Sequence, residues 1–338
     1  MTRRLEGRFN LTFESHPEPG TISVTTIRPA SALEQLSRHR QRVNQIARRV
    51  LVRSSIRDRI VPYLTERPDR RFVLLDELLA DAGAEAVIAS SIINVQELSG
   101  IPMRGKRRPL AVVYTRGGGI HVVEAGRIDG AAIFENVAGA LDAIAPSGGI
   151  AIEEDDLETW LAVALRLDRR IMMPGDTLLR VWRDRSTLPD LGAYIVTTRA
   201  SRHAMELALD FAKDAVADGR SITELDAYAV YLDALRSFFL EFAPDFRVAR
   251  TLTNFHAGGR TMFPSNPTHY PLTKAARTLK IDAGCLMMAP DGMMLGCSDI
   301  ARTLCFDEAG QELLETFREV IRNRLIPACA AGTIGHDI

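Results

Sequence analysis

No apolar run in this 338-residue chain approaches the roughly 20 residues that a membrane-spanning helix requires, and Met1-Thr2-Arg3-Arg4-Leu5-Glu6 lacks the apolar stretch of a signal peptide. A membrane partner is therefore not expected, and the cytoplasm is the expected location. Cysteine is scarce. Cys285, Cys297, Cys305 and Cys329 lie in the last quarter with no CxxC spacing, which argues against a disulfide framework or a zinc knuckle and leaves buried free thiols. Lysine is nearly absent too: of 42 basic residues only Lys106, Lys213, Lys274 and Lys280 are lysines, a bias read as genome composition. A formal net charge of −1 gives no global reason to expect nucleic acid. Short repeats and low-complexity segments are also missing.

What is present is an ordinary globular composition, 46% apolar and 25% charged, in a chain long enough for two or three domains. Residues 1–70 carry fourteen arginines against seven acidic side chains, and Leu33, Leu36, Val43, Ile46 and Val50 approximate one helical stripe. This segment reads as an extension with one amphipathic helix, its arginines forming a solvated face or docking on a neighbouring subunit rather than a nucleic-acid arm. Residues 71–190 alternate helix and strand: a helix at Phe72–Leu79 and strands at Ala86–Ser90, Leu110–Thr115 and Ile120–Glu124, the last two joined by Gly117-Gly118-Gly119. That order predicts an α/β domain with a sheet covered by helices. Residues 191–338 begin with two long helices, Ala193–Asp218 and Ile222–Phe242, the second opened by a capping box at Ser221-Ile222-Thr223-Glu224. Strands at Phe246–Leu252, Thr278–Met288 and Met293–Phe306 follow, then a helix near Glu312–Arg324.

The chemistry concentrates in the last of these regions. Leu279-Lys280-Ile281-Asp282-Ala283-Gly284 leads through the turn residues Ala289-Pro290-Asp291-Gly292 into Cys297-Ser298-Asp299-Ile300-Ala301-Arg302-Thr303. A hairpin centred between Pro290 and Asp291 places Asp282 directly opposite Asp299. Opposed carboxylates about 4.5–5.5 Å apart at Cβ destabilise a sheet unless a cation lies between them. Hard divalent ions take such oxygens, and paired ions about 3.5–4 Å apart share a bridging carboxylate. The same residues also fit two aspartates on a solvated strand face, or a glycine bulge that shifts the register by one and parts them.

Asp282-Ala283-Gly284 and Ser298-Asp299-Ile300-Ala301-Arg302-Thr303 resemble the Asp-x-Gly and Ser-Asp-x-x-Arg-Thr segments of the pita-bread metallohydrolases, the aminopeptidase P, prolidase and creatinase family. Phe263-Pro264-Ser265-Asn266-Pro267-Thr268-His269-Tyr270 resembles that family's Asn-x-x-x-His stretch. Ser91 to Gly100 is similar to a motif of its amino-terminal domain, with Gln96-Glu97 where an aromatic is common. The resemblance covers roughly residues 72–338. It implies an α+β fold: a creatinase-like amino-terminal α/β domain followed by the first half of a pita-bread catalytic domain. It also implies Asp282 as a ligand of one metal ion, Asp299 as a carboxylate bridging two, and His269 as the catalytic group that contacts substrate or moves a proton. The implied cofactors are two divalent ions, Mn, Co, Zn or Fe. The implied activity is Xaa-Pro aminopeptidase or prolidase-type hydrolysis of a peptide substrate, in a homodimer.

Two departures qualify that implication. The interval from Asp282 to Asp299 is longer than the family's, which a lengthened hairpin at Met287–Met294 absorbs. The family also completes its site with a histidine and two glutamates from a second half that follows in sequence, and these residues are not in this chain. The segment from Ala331 to Ile338 resembles the turn that starts that second half, so His336 is not counted as a ligand. The expected site is thus incomplete as given, and the alternatives are a second polypeptide that supplies the missing half or a pita-bread module retained for binding without catalysis.

Overall fold

The computed structural model describes residues 22–52, 54–64, 69–102, 111–125, 148–154, 172–186, 190–262 and 266–330. In chain order its principal elements are β1 (Ile22–Ile27), α1 (Pro29–Ser37), α2 (Arg40–Val50), α3 (Arg71–Asp81), β2 (Ala86–Ala89), α4 (Ile92–Ser99), β3 (Ala111–Thr115), β4 (Gly119–Ala125), β5 (Ile150–Ile152), β6 (Met172–Pro174) and α5 (Asp176–Ser186). They continue with α6 (Leu191–Ala217), β7 (Ile222–Thr223), α7 (Glu224–Phe242), β8 (Arg247–Ala257), β9 (Pro271–Leu272), β10 (Thr278–Met288), β11 (Met294–Cys297), β12 (Ile300–Cys305) and α8 (Glu308–Val320). The chain divides into two compact units, residues 1–38 with 67–188 and residues 39–66 with 189–338. No described helix is long and apolar enough to cross a membrane.

The first unit is a six-stranded mixed sheet in the order β1-β4-β3-β2-β5-β6, antiparallel as far as β2 and parallel beyond it. Every residue of β2 and β5 is buried, the mark of strands covered on both faces. Phe72, Leu75 and Leu79, at helical spacing on α3, meet Val87, Val112, Tyr114 and Trp182 in its core. Ser91 caps α4 by accepting from the Asn94 amide, and Gly100, at φ 69°, ends it; a Cβ there would lie 2.7 Å from the Ala32 carbonyl oxygen. The buried carboxylate of Glu153 occupies the start of α4, accepting from the Ser90 amide (2.8 Å), the Ser91 amide (2.9 Å) and the Asn94 side chain (2.5 Å). Glu97, at the position where the resemblance departs from an aromatic, pairs with the buried guanidinium of Arg71.

Residues 1–70, read from sequence as a separate extension, are shared between the units. β1 joins the first sheet beside β4, with Ile22 opposite Ala125 and Ile27 opposite Ile120. The single helix expected over Leu33–Val50 is two, because the chain passes from one unit to the other between Arg38 and His39. Leu33 packs in the first core, whereas Val43 and Ile46 are buried on α2 in the second unit. The arginines of α2 bond within that unit: Arg40 to Asp190 at 3.3 Å, Arg42 to Asp245, Arg48 to the Leu64 carbonyl at 3.1 Å and Arg49 to the Phe242 carbonyl at 2.7 Å.

The second unit sets α6 and α7, with α2 packed on α6, against an antiparallel sheet in which β10 pairs with β8 on one side and with β11 and β12 on the other. Small buried residues at helical spacing on α6, among them Ala193, Thr197, Ala200, Ser201, Ala204 and Ala208, let that helix approach closely. A Cβ on Gly296 of β11 would lie 2.9 Å from the Ala193 Cβ, so the approach leaves no room for one. The capping box expected at Ser221 forms two residues later: Thr223 accepts from the Asp226 amide, and the Asp226 carboxylate accepts from the Thr223 amide at 2.8 Å. Glu224, expected inside the box, points into the unit instead.

Candidate functional site

Strand β10 alternates: Leu279, Ile281 and Ala283 are fully buried, while Lys280 and Asp282 keep part of their surface. The buried set faces the helices, where Phe255 of β8 lies against the rings of Tyr228 and Tyr231 at 5.3 and 5.5 Å. Directly opposed residues of antiparallel strands share a face. Asp282 stands between Asn254 of β8 and Ala301 of β12, and Lys280 between His256 and Thr303. The other face therefore gathers Asn254, His256, Lys280, Asp282 and Thr303, a polar set at the middle of a sheet. Asn254 and His256 are buried, and neither stood out in the sequence, although Asn254-Phe255-His256-Ala257 has the period-two alternation of a half-polar strand.

The direct pairing of Asp282 with Asp299 does not form, because the register is displaced by two. The turn is centred on Asp291, with the Ala289 amide donating to the Met293 carbonyl at 2.8 Å. A bulge at Met287/Met288 then adds Leu295 to the returning strand. Asp282 consequently faces Ala301, and Asp299 lies in the break between β11 and β12. Ser298 points toward the helices, where its Oγ lies 2.8 Å from Ser201 Oγ and accepts from the Cys285 amide at 3.2 Å. Consecutive side chains of an extended chain alternate, so Asp299, which is exposed, projects from the face that carries Asp282. The register makes the two positions diagonal neighbours, a relation that sets residues about 7–8 Å apart with their Cβ atoms somewhat closer.

Beneath them a buried hydrogen-bond network holds this corner. Tyr231 donates to the Gly284 carbonyl at 3.2 Å, and the Cys285 thiol donates to the Thr197 carbonyl at 3.6 Å. Burial pushes the Tyr231 hydroxyl and the Cys285 thiol above their ordinary values, so both stay protonated as donors rather than serving as nucleophiles.

His269 is exposed, in a segment whose two flanking residues are clamped to the start of α7. The carboxylate of Glu224, with no exposed surface, accepts from the Thr268 amide and hydroxyl, each at 3.0 Å, from the Ala257 amide at 3.0 Å and from Arg260 Nε at 3.1 Å. The Glu224 amide in turn donates to the Tyr270 carbonyl at 3.1 Å, and β7 pairs with β9 just beyond. Residues 263–265 of the Asn-x-x-x-His resemblance lie outside the described residues, as do Cys329's side chain and His336.

Among the described residues no group of three or more His, Cys, Asp or Glu side chains is placed to hold a metal ion. Hard divalent ions take about six ligands, so two carboxylates do not make a complete centre. Within its own strand Asp282 has a cationic neighbour, Lys280 Nζ at 3.6 Å.

No protein-family model matches the chain, and no curated protein matches it in sequence. Several solved structures align with most of the chain. A prolidase from Pyrococcus horikoshii OT3 is 16% identical with a TM-score of 0.46 over 75% of this chain and 71% of that one. Dipeptidase PepE from Mycobacterium ulcerans is 18% identical with a TM-score of 0.48 over 70% and 64%. The N-terminal domain of the FACT complex subunit SPT16 from Eremothecium gossypii is 13% identical with a TM-score of 0.44 over 76% and 72%. With identities of 18% or less and TM-scores below 0.5, these alignments carry no conclusion about what the chain is or acts on.

Proposed function

We propose that this chain carries the carboxylate-bearing part of a divalent-metal-dependent peptidase of Xaa-Pro type, with Asp282 and Asp299 as ligands and His269 as the group that contacts substrate or moves a proton. The observation that supports it is Asp282 itself: a carboxylate on the central strand of a sheet, flanked on both sides, on a polar face to which Asn254 and His256 also belong. The reading requires further ligands from outside the described residues, and a second polypeptide is one source. Phe317 and Val320 on α8, with Ile321, Leu325 and Ile326 in the helical turns that follow it, are exposed and support self-association as a homodimer.

A second reading, a module that binds without catalysis, is favoured by the Lys280 ammonium beside Asp282, where a cation would otherwise sit. Calorimetric titration with Mn(II) or Co(II) separates the two. The peptidase reading expects saturable binding that is lost in the Asp282→Asn, Asp299→Asn double variant, together with release of the amino-terminal residue from Xaa-Pro peptides. Metal binding unchanged in the double variant sinks the assignment of both aspartates, and absence of binding to the parent chain favours the binding module.

A further inference from the structure

One buried polar side chain of the second sheet has no partner. Asn254 of β8 is only 8% exposed, yet among the described residues its amide makes no side-chain hydrogen bond. Buried polar groups are nearly always partnered, so an exception points to a ligand. Phe255, the next residue, packs on the rings of Tyr228 and Tyr231 toward the helices, which turns Asn254 to the opposite face. His256, the other buried polar residue of that face, is already engaged.

Asn254 stands directly across from Asp282 of β10. Opposed residues of antiparallel strands carry Cβ atoms about 4.5–5.5 Å apart, close enough for an amide oxygen and a carboxylate oxygen to share one ion. No hydrogen bond joins the two side chains, so the amide does not serve to hold the carboxylate; Asp282 turns instead to Lys280 Nζ at 3.6 Å. On its other flank Asp282 faces Ala301, which offers no polar group, and Asp299 lies beyond on that same side.

We propose that the side-chain oxygen of Asn254 is a neutral ligand to the divalent ion held by Asp282. The inference rests on the metal reading of Asp282 given above. An amide carbonyl is a hard, uncharged donor of the kind that calcium, magnesium and manganese ions accept. It reaches the ion from β8, the side of β10 away from Asp299, so Asp282 has an oxygen donor on each flank rather than on one.

The test is calorimetric titration of the full chain with Mn(II), in the parent and in Asp282→Asn, Asn254→Ala and Asn254→Asp. The parent is expected to bind saturably and Asp282→Asn to lose that binding. Asn254→Ala should weaken it about tenfold or more, since even residues one step removed from a metal are worth about 10–100-fold in affinity. Asn254→Asp keeps an oxygen in place, adds charge and should bind at least as tightly as the parent. Thermal unfolding gives a readout that a packing role would not move. Without metal, Asn254→Asp opposes two carboxylates and should lower the melting temperature; saturating Mn(II) should return it to the parent's value or above, because an ion bound only by the folded state stabilises it. Unchanged Mn(II) affinity in Asn254→Ala, or an Asn254→Asp chain that stays destabilised with the ion present, overturns the proposal. In either case loss of binding in Asp282→Asn leaves the assignment of the aspartate standing, whereas no binding to the parent removes both.

Discussion

Replacing Glu224 by glutamine tests whether a buried carboxylate organises the second unit. Each of its oxygens accepts from two donors: Oε1 from the Ala257 amide and Arg260 Nε, Oε2 from the Thr268 amide and hydroxyl. A glutamine amide keeps one acceptor and turns its two N–H groups toward donors on the other side, so two hydrogen bonds to a charge are lost. Such bonds contribute about 1.5–3 kcal/mol each, and breaking one side of a fully buried ion pair costs about 3–5 kcal/mol. Arg260 keeps nearly a third of its surface in water and recovers part of that, which leaves a destabilisation of about 3 kcal/mol. At an m-value of about 2 kcal/mol per molar urea, the midpoint of the second unit falls by about 1.5 M. Both tryptophans, Trp160 and Trp182, belong to the sequence of the first unit, so their fluorescence follows that unit while far-ultraviolet circular dichroism follows both. The dichroism is expected to gain an early transition while the fluorescence midpoint holds, and hydrogen exchange should quicken at Thr268 and Tyr270. A dichroism shift worth less than about 0.5 kcal/mol, within the range of ordinary surface substitutions, would refute the reasoning.

The complementary change in the first unit is Arg71→Met, which strands Asp69, bonded at 3.0 Å, and Glu97; it should cost about 3–5 kcal/mol, read by fluorescence because Trp182 donates to the Arg71 carbonyl at 2.8 Å, and restoration by a second change Glu97→Gln would confirm the cause. His121 is held by burial below its usual value near 6.5, so the unfolded chain binds the proton more readily. Stability of the first unit should therefore fall as pH drops below 6.5, and His121→Gln should remove that component of the slope; an unchanged slope counts against it. Lys280→Gln frees Asp282 from an exposed pair worth at most about 1 kcal/mol, so Mn(II) affinity should rise by no more than about fivefold, and a decrease would mean the ammonium is not a competitor.

Helices α3, α6, α7 and α8 were legible from their apolar periodicity, with small residues clustered on one side in α6, whereas the short α4 and α5 were not. Strands β2, β3, β4 and β10 were legible from runs of apolar or alternating residues bounded by glycine. β1 was not, since Ile22-Ser23-Val24-Thr25-Thr26-Ile27 acquires its meaning from β4, about a hundred residues away. The capping box was misplaced by two residues because Ser221-Ile222-Thr223-Glu224 and Thr223-Glu224-Leu225-Asp226 both offer a hydroxyl three positions ahead of a carboxylate. Tertiary contacts decide between them: β9 pairs with Ile222 and Thr223, and the Thr268 donors draw Glu224 inward. The hairpin register failed for a related reason. Pro290-Asp291-Gly292 announces a turn but not its centre, and the bulge that adds Leu295 carries no residue signal of its own.

What separates Asp282 from the other conspicuous charges is the state of its surroundings. Glu153 accepts three fixed donors, Glu224 four, and Arg71 holds two carboxylates; each is buried and each has its hydrogen bonds supplied by backbone or by neighbours that cannot move away. These are charges whose role is exhausted by the fold. Asp282 sits at a position where strands on both sides restrict its approach to water, yet the ion pair it makes among the described residues is with Lys280, a flexible side chain 40% exposed and two residues along the same strand. A carboxylate so placed gains little stability from that partner, whereas its face remains polar through Asn254 and His256. The structural charges are saturated and the one on the central strand is not, which is the physical reason for looking to Asp282, rather than to Glu224 or Glu153, for a ligand that comes from outside the fold.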